Sequence, residues 1–136
     1  MSIKNYQIRI KALSPIHIGS GETLDPMRYT VKNGRLYLLK EGQYIKKLLQ
    51  MPNSQLEKVV ESGNVYTIAQ YYYDCFDETD KSVWYNSYEV SPGFQNTFIN
   101  NLKNPDSQNL LYEFYKSDLM QEPVIPGSTI KGAIRT

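Results

Sequence analysis

The hydrophobic pattern of residues 4–13 has a period of two. Apolar side chains occupy alternate positions from Tyr6 to Ala12, and the positions between them are polar or basic. This period predicts a β-strand with one apolar face and one polar, basic face. Because proline lacks a backbone N–H, we expect the strand to end or bend at Ser14-Pro15.

A second extended pattern, over residues 28–39, is interrupted by Asn33-Gly34. Asn and Gly tolerate the positive φ angles of a two-residue type I′ turn. The segment therefore predicts a β-hairpin.

From Glu41 onward the apolar residues recur at helical spacing, so the middle of the chain is predicted to be mostly helical. A capping box at 54–57 predicts the start of a second helix and Gly63 its end. Residues 83–90 are ambiguous between strand and helix, and Asn104-Pro105 is typical of an N-cap followed by proline at the first helical position. Helices are predicted for segments 41–49, 54–62, 65–76, 94–102 and 110–115.

The length of 136 residues fits one domain, and 40% of the residues are hydrophobic. The net charge of +1 conceals an uneven distribution along the sequence. Residues 42–122 carry six Lys/Arg and eleven Asp/Glu, net −5, whereas the flanking segments carry nine Lys/Arg and three Asp/Glu, net +6. A basic surface built from the two ends would attract a polyanion. Alternatively, the charges are simply scattered.

The single cysteine, Cys75, has no partner for an internal disulfide, which fits a reducing cytoplasm. It lies in an aromatic stretch, where we expect it to be buried. No stretch approaches the ~20 apolar residues of a membrane span, and the N-terminus lacks the apolar core of a signal peptide. These features predict a soluble, cytoplasmic protein without a membrane partner.

Residues 126–135, the second motif, have the sequence Pro-Gly-Ser-Thr-Ile-Lys-Gly-Ala-Ile-Arg. A Pro-Gly turn followed by Ser and Thr predicts the capped start of a short helix from Ser128 to Thr136, and its free N–H groups would attract an anion. The Lys and Arg lie four residues apart, on a face that the glycine between them leaves open. The motif predicts a grip on a phosphate backbone, although a capped helix with two surface cations is an equally good interpretation. The candidate RNA-binding residues are Gly127, Ser128, Thr129, Lys131, Gly132 and Arg135.

Residues 14–22, the first motif, have the sequence Ser-Pro-Ile-His-Ile-Gly-Ser-Gly-Glu. The glycines allow a close approach of the backbone, and we expect a Gly-Ser-Gly loop there. The single histidine, His17, could bind phosphate, stack on a base, transfer a proton, or pack with its ring bonded to a backbone carbonyl. The sequence shows no partner for proton transfer. The candidate RNA-binding residues are His17, Gly19, Ser20 and Gly21, with His17 also a weak catalytic candidate.

Tyrosine is concentrated in residues 42–122, which contain nine of the twelve, including the run Tyr71–Tyr73. Such a run could stack on bases, but in an acidic helical segment tyrosines more often pack in a core with a solvated hydroxyl. The sequence has no Cys/His set for zinc, no Gly-Lys-Ser/Thr of a Walker loop and no carboxylate cluster for two metals. We therefore expect no metal and no cofactor.

Together the two motifs resemble the RAMP superfamily of CRISPR effector proteins, and within it the family of the fifth Csm subunit of type III-A complexes. The resemblance rests on the first motif and on residues 125–135, whose Pro-Gly-Ser-x-x-Lys-Gly-x-x-Arg pattern is specific. It covers residues 3–40 and 123–136, and the hairpin lies where this family has one.

The resemblance implies an α+β fold, a partial ferredoxin-like (RRM-type) RAMP module that binds guide RNA. Residues 1–40 and 123–136 would belong to this module, and residues 41–122 would be a helical, acidic, Tyr-rich insertion. Family members have several hundred residues, and this chain ends where the first helix of the module would begin. We therefore expect an incomplete module, from a truncated chain, a proteolytic fragment or a split gene product.

The resemblance further implies a non-catalytic subunit that binds guide RNA (crRNA) in a type III-A CRISPR-Cas Csm effector complex, caps the 3′ end of the guide and supports its maturation in antiviral defence. Its partners would be the guide RNA, other Csm subunits, especially the backbone RAMP subunit, and host nucleases. Two alternatives stay open: a metal-independent ribonuclease that processes precursor guide RNA with His17, and a protein-docking module that recruits a nuclease. Asp25 lies near the first motif, but no catalytic role is carried over to it.

Overall fold

The computed structural model describes residues 2–104, 111–119 and 122–135. Within them, two small sheets, β1-β5 and β2-β3-β4, combine with five helices in an α+β fold, which confirms the predicted fold class. No helix in these ranges is long and apolar enough to cross a membrane. In chain order the elements are β1 Gly19–Leu24, β2 Tyr29–Lys32, β3 Arg35–Leu39, α1 Glu41–Gln50, α2 Leu56–Glu61, α3 Val65–Cys75, β4 Trp84–Glu89, α4 Pro92–Lys103, β5 Leu111–Phe114 and α5 Gly127–Arg135.

The predicted hairpin is confirmed. Strands β2 and β3 pair antiparallel with Lys32 opposite Arg35, and the turn residues Asn33 and Gly34 have φ angles of 50° and 75°. Strand β4 pairs with the other edge of β3, so the segment 83–90, which was ambiguous from the sequence, supplies the third strand. Strand β3 is therefore the centre of this sheet.

Both faces of β3 are buried. Tyr37 and Leu39 belong to a buried cluster with side chains of α1, α2 and α3. Leu36 and Leu38 belong to a second cluster, which includes Phe98 of α4. Because neighbouring residues of a strand point to opposite faces, β3 contributes side chains to both clusters, and helices cover the sheet on each face.

Four of the predicted helices in the middle of the chain are confirmed as α1 to α4, with shifted ends. The capping box expected for α2 is wrong. The Oγ of Ser54 accepts a hydrogen bond from the N–H of Leu56 at 3.3 Å, and Gln55, at the N-cap position, makes no side-chain capping bond. Gly63, with a φ of 67°, follows the end of α2, as predicted.

Two other local predictions are wrong. Residues 110–115 were expected to be helical, but residues 111–114 form strand β5. So short an apolar run is compatible with either a helix or a strand, and here the pairing with β1 selects the strand. Residues 4–13 form no strand, because none of the described segments pairs with their backbone, and Ile8 is 68% exposed. Asn104 ends α4. The helix that Asn104-Pro105 is expected to start would begin at residue 105, outside the described residues, so it stays a prediction.

The chain divides into two compact units. The central unit comprises residues 23–111, and the end unit comprises residues 1–22 and 112–136. All buried residues in the described ranges lie between Leu24 and Phe98, in the central unit. The hairpin therefore belongs to the same unit as the helices, because they cover both faces of β3. The predicted limits of the family module, at residues 40 and 123, stay a prediction.

Candidate nucleic-acid interface

The first motif lies in the end unit, and its Gly-Ser-Gly segment begins β1 instead of forming the expected loop. Gly21 has a φ of 87°, a conformation that residues with a side chain rarely adopt. The Oγ of Ser20 accepts a hydrogen bond from the N–H of Glu22 at 3.2 Å. Residues 19–22 are all exposed, so a ligand can approach the backbone at the start of this strand.

His17 is exposed, and its ring packs edge-on against Phe114 of β5, with 5.8 Å between the ring centroids and 84° between the ring planes. The sequence left open a hydrogen bond between the His17 ring and a backbone carbonyl. In the described part of the chain the ring nitrogens have no hydrogen-bond partner, so this alternative is wrong. A Cβ added at Gly19 would lie 3.6 Å from the Nε2 of this ring. That distance is an ordinary van der Waals contact, so the ring lies directly beside this glycine.

The second motif forms α5, which begins at Gly127, one residue before the predicted start. The expected caps are wrong, because Ser128 and Thr129 lie inside the first turn. The carbonyl of Pro126 accepts hydrogen bonds from the N–H groups of Thr129 at 3.0 Å and Ile130 at 3.4 Å. The N–H groups of Gly127 and Ser128 have no partner in the described chain, and such groups at a helix N-terminus can bind an anion.

Lys131 and Arg135 are exposed and lie four residues apart on α5. Neither forms an ion pair with another residue that the structure describes. A Cβ added at Gly132 would meet nothing within 4 Å. The predicted open, basic helix face is therefore present.

Backbone hydrogen bonds join the two chain segments that carry the motifs. The N–H of Tyr115 donates to the carbonyl of Ile18 at 2.7 Å, and the carbonyl of Tyr115 accepts from the N–H of Val124 at 3.1 Å. Lys116 and Pro123 add an isolated antiparallel bridge next to it. Ile18 directly precedes Gly-Ser-Gly, and Val124 lies two residues before the Pro-Gly turn. Both motifs are thus tied to one stretch of chain, which sequence analysis missed because it predicted a helix there.

Charge is less segregated between the compact units than between the sequence segments. The end unit carries six Lys/Arg and four Asp/Glu, and the central unit carries nine and ten. The cations of the hairpin belong to the central unit, where the Nζ of Lys32 donates to a backbone carbonyl at 2.7 Å and Arg35 bonds to Ser87. In the end unit, Lys116 lies 3.8 Å from Glu113. The basic surface is therefore smaller than the sequence suggested.

The run Tyr71–Tyr73 has a structural role. Tyr72 is buried against Tyr44, with ring centroids 5.1 Å apart, and the hydroxyl of Tyr44 donates to the carbonyl of Tyr72 at 2.6 Å. Burial raises the pKa of both hydroxyls above the ordinary value. Tyr73 packs near Phe98. The interpretation as core residues, preferred from the sequence, fits these contacts.

Other candidate groups also have local contacts. The carboxylate of Asp25 accepts a hydrogen bond from the N–H of Met27 at 2.8 Å and so closes its own turn. Cys75 is half-buried, next to the first core cluster, and not fully buried as expected. Across the described ranges, no three His, Cys, Asp or Glu side chains come close enough to hold a metal ion.

The fold and the two motifs agree with the result of a comparison of the sequence with models of protein families. The model of the RAMP superfamily matches residues 9–136, and the chain belongs to that superfamily. The small sheets and helices are consistent with a partial ferredoxin-like RAMP module.

A more specific similarity is to a protein of Streptococcus thermophilus described as "CRISPR system Cms protein Csm5", which is 26% identical over 149 residues. The alignment covers 98% of this chain and 37% of that protein, so the chain spans little more than a third of its relative's length. The resemblance to this RAMP family, stated from the two motifs, is confirmed.

Proposed function

We propose that the chain is part of a guide-RNA-binding subunit of a type III-A CRISPR-Cas Csm complex and contacts the RNA backbone through the two motifs of the end unit. One observation carries the proposal: the backbone of Tyr115 ties both motifs into one exposed unit. Membership in the RAMP superfamily and the similarity to a Csm5 protein support the assignment to a Csm complex.

The chemistry of the second motif suits phosphate. The free N–H groups at the start of α5 and the hydroxyls of Ser128 and Thr129 donate to phosphate oxygens, and Lys131 and Arg135 neutralise their charge. The exposed backbone of residues 19–21, with a glycine on either side of Ser20, offers a second approach. None of these groups distinguishes one base from another, so the contact positions the RNA and does not select its sequence.

The proposal places this contact at the 3′ end of the guide, as a cap beside the backbone RAMP subunit that supports guide maturation. The similarity to a Csm5 protein supports this placement, together with the resemblance of the two motifs to the fifth Csm subunit. Crosslinking of assembled complexes with guide RNA labelled at either end tests the position, because label should be transferred from the 3′ end and not from the 5′ end.

Salt dependence tests the phosphate contact. In the full-length subunit, Lys131→Ala with Arg135→Ala should weaken binding of a single-stranded RNA and lower the slope of log K against log salt by about 1.4, or about 0.7 per lost phosphate contact. Fluorescence anisotropy between about 50 and 200 mM salt measures this slope. The matched control, Lys58→Ala with Lys81→Ala, removes two exposed cations from the central unit. An unchanged slope in the first variant, or an equal loss in the control, would contradict the proposal.

In this proposal His17 is a contact residue and not a catalyst. Incubation of the purified full-length subunit with precursor guide RNA in the presence of a metal chelator tests that assignment. Cleavage that disappears in His17→Ala would show a metal-independent ribonuclease instead.

A groove between α1 and α2 favours a second role, docking of a partner protein on the central unit. The groove has a volume of about 390 Å³, and two of its aliphatic residues, Leu49 and Val60, are 50% and 52% exposed. Glu57 and Glu61 stand beside it, so the matching occupant is a partner helix with aliphatic side chains flanked by Lys or Arg. The lining residues are Ile45, Leu49, Leu56, Glu57, Val60 and Glu61.

Charge reversal tests the docking role. Glu57→Lys with Glu61→Lys should remove one protein component from the complex purified through this subunit, without changing RNA affinity. Glu89→Lys, an exposed carboxylate outside the groove, is the control. Unchanged composition of the complex with the double variant would rule this role out.

A further inference from the structure

The side chain of Tyr115 stands where the two motifs are joined. It is 42% exposed and lines an open pocket of about 500 Å³ in the end unit, close in sequence to both β5 and α5. The described residues make no ring contact or hydrogen bond with this side chain. The other lining residues are Ser117, Asp118, Leu119, Val124 and Pro126.

Tyr115 contrasts with the tyrosines of the core. Tyr44 and Tyr72 are 0% and 3% exposed, and the two rings pack against each other. A tyrosine that is partly exposed and makes no ring contact or hydrogen bond with the described residues can offer its ring to a ligand.

The pocket suits a nucleobase better than a phosphate. The carboxylate of Asp118 repels a phosphate, whereas the apolar side chains of Leu119 and Val124 accept an uncharged aromatic ring. The hydroxyl of Ser117 supplies a polar group for the edge of a base. The cations that attract phosphate, Lys131 and Arg135, lie outside this lining.

We infer that Tyr115 is a base-stacking residue, on which one RNA base lies while the two motifs hold phosphates on either side of it. The inference rests on the proposed function, because the base reaches the pocket only when the backbone is bound. Stacking tolerates every base, since each has an aromatic face, so it adds affinity without sequence selectivity.

Substitution of Tyr115 in the full-length subunit tests the inference. Tyr115→Leu, which keeps an apolar side chain in the pocket, should raise the Kd for single-stranded RNA by about 5- to 150-fold, whereas Tyr115→Phe should bind like the wild type. The salt slope should not change, because no charge is removed. An RNA that contains 2-aminopurine should lose fluorescence on binding to the wild type and to Tyr115→Phe, but not to Tyr115→Leu. Tyr85→Ala, which removes a tyrosine that is 51% exposed on β4, is the control.

The possible results separate this inference from the proposed function. Equal affinity and equal quenching for the Leu and Phe variants, with normal binding by the wild type, would overturn the stacking role alone. Failure of the wild type to bind RNA would overturn the proposed function itself. Circular dichroism checks that the Leu variant folds, and Tyr115→Met replaces it if it does not.

Discussion

The central unit and the end unit place their side chains in opposite ways. In the described ranges the central unit contains every buried residue, in two clusters on the two faces of β3. The end unit contains both candidate RNA-binding motifs, and none of its described residues is buried. Apolar side chains such as Ile3 and Ile134 are 87% and 70% exposed there. One unit therefore supplies most of the folding stability and the other the binding surface. Stability and RNA affinity should respond to different substitutions.

The largest expected effect is a loss of stability in the central unit. Leu48→Ala removes a side chain that is 0% exposed in the first core cluster and should lower the free energy of unfolding by about 2–5 kcal/mol. Leu49→Ala, next to it on the same helix but 50% exposed, should cost much less. Urea unfolding followed by circular dichroism measures both. Similar losses would show that burial does not distinguish these two neighbours.

A smaller effect is expected at the hairpin turn. Gly34 has a φ of 75°, so Gly34→Ala should lower the free energy of unfolding by about 1–2 kcal/mol. Gly42→Ala, in α1 where an added Cβ meets nothing within 4 Å, should instead raise it by up to about 1 kcal/mol. Thermal unfolding of the two variants checks the opposite signs. RNA affinity should be unchanged in both.

In the end unit we expect a substitution that weakens RNA binding without lowering stability. Gly132→Ala should increase the helicity of α5, because alanine favours a helix interior over glycine by about 1 kcal/mol. The same methyl group would stand at the edge of the open basic face, so RNA affinity should fall by a few-fold although stability does not. Anisotropy and circular dichroism measure the two quantities. An affinity at or above that of the wild type would place the RNA on another face.

The smallest effect concerns a surface pair of the central unit. The Nζ of Lys47 lies 2.6 Å from the Oδ2 of Asp80, and this bond, helped by Ser82, lowers the pKa of Asp80 from 3.8 to about 2. The charged carboxylate is thus favoured by folding, so its stabilisation is present above pH 3.8 and is lost as the pH falls through about 2. The Tm advantage of the wild type over Asp80→Asn should shrink across that window. Asp74→Asn is the control, and a pH-independent advantage would contradict this assignment.

Local chemistry made some elements predictable from sequence. The Asn33-Gly34 turn needs only residues that accept positive φ, and α1 and α3 show their apolar stripe within one segment. The open basic face of α5 follows from the spacing of Lys131, Gly132 and Arg135 along a helix. In each case the determining interactions lie within a few residues of each other.

Long-range pairing explains the errors. Residues 4–13 alternate as a strand does, yet the structure gives them no neighbouring strand, and residues 111–114 have helix-compatible spacing but pair with β1. The charge asymmetry between sequence segments was also misleading, because Lys32 and Arg35 of the basic flank bond within the central unit. The structure of such a segment depends on the distant segment with which it pairs, and its own sequence does not specify that segment.

The sequence by itself determined the family, the hairpin, most of the helices and the two motifs with their phosphate-binding residue types. Only the tertiary structure decided that both motifs belong to one exposed unit and that Tyr115 ties them together. The physical reason is that these facts depend on backbone hydrogen bonds between segments almost a hundred residues apart in sequence, Ile18 with Tyr115, and on which side chains the core leaves uncovered.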